Sequence, residues 1–390
     1  MISAWPQIKP EQQTKSQQQG KLMRNTISLM RQTCIAGFIG LCLSTAPVAA
    51  TAQTQEVEIG IGGSNFLNLT YYYLLLPKVL GYWEEEGYDV DVFPISGSSE
   101  AVQQLSVNNL DFAQVNASVI VQSNTQHQLP IRSLVTTGAI DWGVAVQKDG
   151  DIKSVEDLKG KSIGIVSLSS GGIPLLNSLL QRNGIDPKSD VTLIATGVGA
   201  PAMIALQSDR VQALMYWGSA LVGFQHAGLE IDVLRDPEWK DFPDFSLATS
   251  QKTIDEKPEM VEAIVRGVAK AMVFAAANPD CVRRIQWTNF PDTKPANLSD
   301  EEATRLDLAL LDTQLSAQKR AVELNPDGYI AASSADALGK YQTFLKDTGL
   351  IATEVDPTSL VPGNSEIWAK ANDFDHAAIE EQAKTCNFPA

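Results

Sequence analysis

Residues 154–172 read Ser-Val-Glu-Asp-Leu-Lys-Gly-Lys-Ser-Ile-Gly-Ile-Val-Ser-Leu-Ser-Ser-Gly-Gly. Ser154 is placed to cap a short helical turn, with Asp157 acting back on its amides. The Gly160-Lys161 turn then leads into Ser162–Val166, a β-branched run suited to a core strand. The small residues that follow open a helix. Their backbone N–H groups and hydroxyls stabilise an anion or a polar ligand group at that helix N-terminus. The stretch is a strand–loop–helix unit of an α/β protein, with its loop in position to meet a ligand.

The same unit recurs on both sides. Val57–Ile61 alternates as a strand, followed by the polar loop Gly62-Gly63-Ser64-Asn65 and an apolar helix from about Leu67 to Leu80. Gly81–Tyr88 turns into a strand from Val90 to Ile95, and Ser96-Gly97-Ser98-Ser99 opens a helix through Leu105. Asn108-Asn109 leads to a third strand, with asparagine taking the positive φ that glycine would. Leu134–Gln147 reads as one long strand, the natural first crossing between two lobes. Beyond the central stretch come strand Val191–Ala195, helix Pro201–Leu206, strand Val211–Met215 ending at Tyr216-Trp217, and a return strand Ser246–Thr249. The remainder is helical: Pro258–Asn278, Asp300–Leu315, Ser334–Thr348 and Ala377–Lys384. This pattern predicts parallel sheets with short βα loops along one edge.

The central run resembles the S-x-x-D-L-K-G-K-x-I-G segment of bacterial ABC-transporter substrate-binding proteins of the nitrate/sulfonate/taurine group, also called NMT1/THI5-like. Gly81–Tyr88 is similar to that family's G-x-F/W-x-x-x-G-L turn, with Tyr88 in place of leucine. Ala205–Ala213 is similar to its A-L-x-x-G-x-V-D-A, with Ser208 and Gln212 replacing Gly and Asp. The likeness covers residues 56–280. It implies a two-lobed α/β periplasmic binding protein fold, each lobe a mostly parallel sheet flanked by helices, with the ligand cleft between them. The expected division is a leader over 1–52, a first part of lobe 1 over 53–140, lobe 2 over 141–247, and a return to lobe 1 with C-terminal helices over 248–390.

Several small-residue loops lie on the edges that would face this cleft. Ser64, Asn65, Ser98, Ser99, Asn116, Ser169 and Ser170 are candidate ligand donors; each alone reads more readily as a helix cap, and it is their recurrence along one edge that points to a ligand. Phe66, Trp142 and Trp217 are candidate ring walls, and Phe66 and Trp142 read equally as core or hinge packing. Rings with convergent polar groups suit a small organic molecule better than a bare inorganic ion. None of the loops carries Lys or Arg, so a highly charged ligand, normally met by arginine forks, is not expected unless Arg132 or Arg235 swings in. A sulfonate, a carboxylate or a heteroaromatic vitamin precursor fits this description.

The N-terminus reads as an export signal. Met23–Arg31 is basic, Cys34–Leu43 is apolar but too short to span a bilayer, and Ala50-Thr51-Ala52 is a small-x-small cleavage site. The start is either Met23 or Met1 with an extended polar n-region. Cleavage near Ala52 removes five basic residues and one acidic one, leaving 25 basic against 45 acidic side chains, a formal charge of −20. Such a surface repels nucleic acid and anionic membranes. Cys281 and Cys386 remain, either as a disulfide, which an exported protein permits, or as two separate buried thiols.

The chain carries no Walker A, G-x-S-x-G or dinucleotide fingerprint, and its three histidines, His127, His226 and His376, have no metal-ligand spacing. No cofactor, metal or catalytic residue is expected. The resemblance implies a periplasmic, monomeric capture protein that hands a small organic solute to an ABC permease in the inner membrane. The THI5-like name also covers a pyrimidine-forming enzyme with a Cys-rich motif, which this chain lacks. A solute-sensing partner of a membrane receptor is the other alternative on the same fold.

Overall fold

The computed structural model describes residues 54–62, 68–325 and 328–388. The expected leader lies outside them, and so do Ser64, Asn65 and Phe66. The first sheet orders its strands β2 (Tyr88–Pro94), β1 (Gln55–Ile61), β3 (Phe112–Asn116), β10 (Phe245–Ser250) and β4 (Ile131–Thr136). The second orders β7 (Thr192–Ala195), β6 (Ser162–Ile165), β8 (Ala213–Tyr216), β5 (Gly143–Gln147) and β9 (Ile231–Leu234).

Both sheets are mostly parallel, as expected, with four of five strands sharing a direction and one reversed strand in each. In the first, β1 pairs in parallel with β2 and β3, while β10 runs antiparallel to β3 and β4. In the second, β6 is parallel to β7 and β8, and β5 is antiparallel to β8 and β9. The antiparallel members have one origin. β5 enters the second sheet directly after the chain leaves the first, and β10 enters the first sheet on the way back, so each runs against the βα units around it.

The long strand expected over Leu134–Gln147 is two strands in different sheets. β4 ends at Thr136 and β5 begins at Gly143. Between them the backbone bonds to three other segments: Thr137 N to Phe245 O at 2.7 Å, Ala139 N to Ala317 O at 2.9 Å and Ile140 N to Phe242 O at 3.0 Å. Those partners satisfy polar groups that a sheet would otherwise pair, so the chain can pass between lobes without a continuous strand.

Helix α1 (Tyr72–Val79) follows a 3-10 turn at Leu69–Tyr71. Tyr71 of the turn and Tyr72 and Tyr73 of the helix are all buried, and the helix packs against the twenty-residue helix Pro258–Ala277. In the quoted stretch, Asp157 Oδ2 accepts Lys153 N and Ser154 N, both at 2.9 Å, and the Ser154 hydroxyl at 3.1 Å. The acid therefore ties the turn, and Ser154 donates to it rather than capping an amide. Of the Asn108-Asn109 pair, Asn108 takes the positive φ, at 57°. Cys281 and Cys386 form a disulfide with Cα atoms 5.6 Å apart, fixing the C-terminal helix His376–Thr385 to the helix Pro279–Asn289. His127 and His226 are exposed, and His376 is half-buried, stacked on Phe374.

Candidate functional site

Loops at the carboxyl ends of β2, β3, β6 and β8 converge where the two sheets face each other. They enclose a cavity of about 10 Å³, lined by Ser96, Asn116, Trp142, Ser167, Ser170, Trp217, Phe245 and the glycines 97 and 171. Each sheet supplies residues at its strand ends: Asn116 ends β3, Phe245 begins β10, and Trp217 follows β8. This is the edge where open α/β sheets bind ligands, because strand ends and helix starts leave backbone groups free.

The two lobes touch across the cavity. The hydroxyls of Ser167 and Ser169 both donate to the Ser96 carbonyl at 2.7 Å, and Ser118 Oγ donates to Gly171 O at 3.3 Å. Glycines permit the approach. Gly97 sits at φ 152°, and a Cβ there would run into the Ser169 backbone. A Cβ on Gly171 would overlap the Asn116 amide, and one on Gly172 the Trp142 ring. This is a closed arrangement, and its free space of about 10 Å³ is far below the roughly 300 Å³ at which ligand pockets usually begin. Anything larger than a water molecule could enter it only with the Ser96 and Ser167–Ser169 loops held apart.

Three rings form the wall. Trp142 and Trp217 meet edge to face with centroids 5.7 Å apart, and Phe245 lies 6.2 Å from Trp142. Tyr216, beside Trp217, is held by Thr196 at 2.9 Å and by the Gly197 carbonyl. Burial pushes the Tyr216 phenol up to about 12, so it stays protonated and donates.

Beneath the wall lies Asp244, only 2 % exposed. Its Oδ2 accepts Trp142 Nε1 at 2.6 Å, and its Oδ1 accepts the Asn116 amide. Its backbone carbonyl accepts Ala117 N at 2.7 Å, the first amide of the helix Ala117–Gln126. Burial pushes this carboxyl up to about 8, with the Asp141 carboxyl adding to the rise and the Asn116 and Trp142 hydrogen bonds opposing it.

Of the residues expected at the site, Asn116, Trp142, Ser170 and Trp217 line the cavity. Ser169 closes its rim. Ser98 lies behind the lining, buried, with its Oγ 2.7 Å from Gly62 O and 2.9 Å from Asn116 Oδ1, so it holds the asparagine in place. Ser99 lies one residue further along that helix and is not among the lining residues. Sequence reading missed Ser96, Ser167, Asp244 and Phe245. The first two were visible in small-residue loops; Asp244 and Phe245 carried no local signal, because only the return strand's register brings Phe245 opposite Asn116.

Arginines that could have entered the cavity are engaged elsewhere. Arg132 donates to Gln251 Oε1 at 2.7 Å and to Asn124 Oδ1 at 2.8 Å. Arg235 Nε donates to the Trp142 carbonyl at 3.1 Å and lines a separate, open crevice with Asp141, Lys240, Asp312 and Arg320. Among the described residues, no group of three or more His, Cys, Asp or Glu side chains is placed to hold a metal ion.

Comparison with known proteins places this geometry. The family model described as NMT1/THI5 like matches residues 68–281. Riboflavin-binding protein RibY of Chloroflexus aurantiacus is 24 % identical over 334 residues, 82 % of this chain and 91 % of its own length. Among solved structures, a protein of Bordetella bronchiseptica RB50 superimposes with a TM-score of 0.63 at 23 % identity, over 82 % of this chain and 98 % of its own. The periplasmic aliphatic sulphonate binding protein SsuA of Escherichia coli gives a TM-score of 0.54 at 14 % identity, over 79 % and 92 %. These structures share the fold of two mixed sheets flanked by helices, that of periplasmic binding proteins.

Proposed function

The chain belongs to the NMT1/THI5-like family, and we propose that it is the exported solute-binding component of an ABC importer, capturing a small planar organic solute between its lobes. The observation that carries this reading is the lining of the cleft. Three rings, Trp142, Trp217 and Phe245, converge with the carbonyl and hydroxyls of Ser96, Ser167 and Ser170 on one cavity shared by both sheets. Stacking on such a wall rewards a flat molecule, whereas a bare inorganic ion gains nothing from it.

The action requires no bond making. Solute enters while the lobes are apart, rings and loop groups close on it, and the occupied closed form becomes the species a permease recognises. A solute shifts that equilibrium only by binding the closed form more tightly than the open one. Residues Thr137–Trp142 and the segment before β10 are the two passages between lobes and supply the hinge. An export leader ahead of residue 53, release into the periplasm and action as a monomer complete the proposal.

The test is direct binding. Isothermal titration of the purified protein with planar heterocycles and ring acids should give saturable one-to-one binding that Trp217→Ala weakens at least tenfold. Undiminished affinity in that variant would move the site elsewhere.

A further inference from the structure

Resting on that reading, the disposition of donors in the cleft points to the charge of the solute. An anion needs N–H or O–H groups aimed at it, and among the described residues the ring and amide donors are turned away, leaving the Ser170 hydroxyl, which accepts Gly172 N at 3.3 Å, as the lining side chain that keeps its hydrogen. The Trp142 indole N–H and the Asn116 amide N–H both point away from the cavity, onto Asp244. The hydroxyls of Ser167 and Ser169 are spent on the Ser96 carbonyl. Among the described residues, no lysine or arginine lines the space. What faces the space otherwise are three ring faces and the Asn116 Oδ1, which lies against Gly171 and also accepts Ser98 Oγ at 2.9 Å.

We propose that the cleft selects planar cations, such as protonated amidines or ring nitrogens, over anions of the same shape, and that Asp244 is the positioning residue that sets this preference. It acts in two ways. By accepting from Trp142 and Asn116, it turns their donors inward and leaves acceptors and ring faces towards the solute. It also puts a buried carboxyl beneath a ring wall that itself attracts cations. The titratable groups around it are Asp141 on the inter-lobe passage, Tyr73 from α1 and Tyr341 from the helix Ala335–Asp347, none of them cationic. A cation stacked on Trp142 therefore favours the carboxylate form of Asp244, and its binding releases a proton.

Benzamidine, benzamide and benzenesulfonate provide one ring with positive, neutral and negative substituents. Titrated into the purified protein at pH 7, benzamidinium should bind at least tenfold more tightly than benzenesulfonate, and its affinity should rise as the pH is raised from 6 to 8.5. In Asp244→Asn the cation-to-anion ratio should fall to within about threefold. A purely structural role would lower both affinities alike and leave the ratio unchanged, which would overturn the assignment to Asp244. If that variant does not fold, the wild-type comparison and its pH profile decide. Preferential binding of benzenesulfonate would overturn the charge inference while leaving the solute-binding reading intact. Absence of binding by all three would count against both.

Discussion

Trp142 and Asp244 stand 102 positions apart in sequence, yet the indole Nε1 of one donates to the carboxyl Oδ2 of the other at 2.6 Å. Each lies next to one of the two passages between lobes, Trp142 just before β5 and Asp244 just before β10. The bond therefore joins the outgoing chain to the returning chain directly beneath the cavity. In the proposed reading, hinge and ligand wall share the same pair.

Asp244 makes stability depend on pH. Burial raises its folded-state value to about 8, well above that of an unfolded aspartate. A raised carboxyl means that the native state holds the proton more tightly, so its contribution is full below about pH 4 and is lost as pH rises through 8. Thermal midpoints of the wild type should fall between pH 6 and 8.5 by more than those of Asp244→Asn. Equal slopes would remove Asp244 as the source.

Gly97 should control closure. Alanine there meets the Ser169 backbone and must adopt a φ that L side chains rarely take. Gly97→Ala should leave each lobe folded but shift the lobes apart, read as a larger radius of gyration in X-ray scattering. An unchanged scattering curve would show that the Ser96–Ser169 contact does not hold the closed form.

The disulfide closes a loop with a sequence separation of 105, and Cys281 is fully buried. In the chain-entropy account such a loop is worth about 4–5 kcal/mol. Cys281→Ser should lower the thermal midpoint by about 7 °C relative to the oxidised wild type, and by far less relative to the reduced wild type. Equal losses in both conditions would assign the effect to packing.

Trp287 donates to Asp307 Oδ2 at 2.7 Å, tying the helix Pro279–Asn289 to the helix Asp300–Glu323. Burial raises Asp307 to about 6, with the Trp287 bond and Arg283 opposing. Trp287→Phe leaves that carboxyl without its indole donor, so it should destabilise the protein more at pH 8 than at pH 5. A pH-independent loss would show that the bond favours neither form.

Much of the α/β pattern was legible because the signals are local. The β-branched run after Gly160, the Ser and Gly loops at helix starts and the long apolar helix from Pro258 each sit within one window of sequence. What escaped was set by distant partners. β4 and β5 look continuous in sequence, and only the carbonyls of Phe245, Phe242 and Ala317 reveal that the chain leaves one sheet for the other. The burial of Tyr72 and Tyr73 in α1 likewise depends on the distant Pro258 helix that covers them. At the site, the ring residues Trp142 and Trp217 and the polar residues Asn116 and Ser170 could be read from their positions at strand ends. Asp244 could not, since an acid before a strand usually faces solvent, and its burial follows from the return crossing.

The central claim is that this cleft captures a planar solute on the Trp142–Trp217 wall. The most direct measurement is the thermal midpoint of the purified protein across a panel of flat heterocycles, amidines, ring carboxylates and sulfonates, repeated in Trp217→Ala. A ligand at about 100 times its dissociation constant adds about 2.7 kcal/mol, a rise of several degrees at this chain length. The account predicts such a rise for at least one flat compound and its loss in the variant. A rise that survives Trp217→Ala, or none across the whole panel, would contradict it.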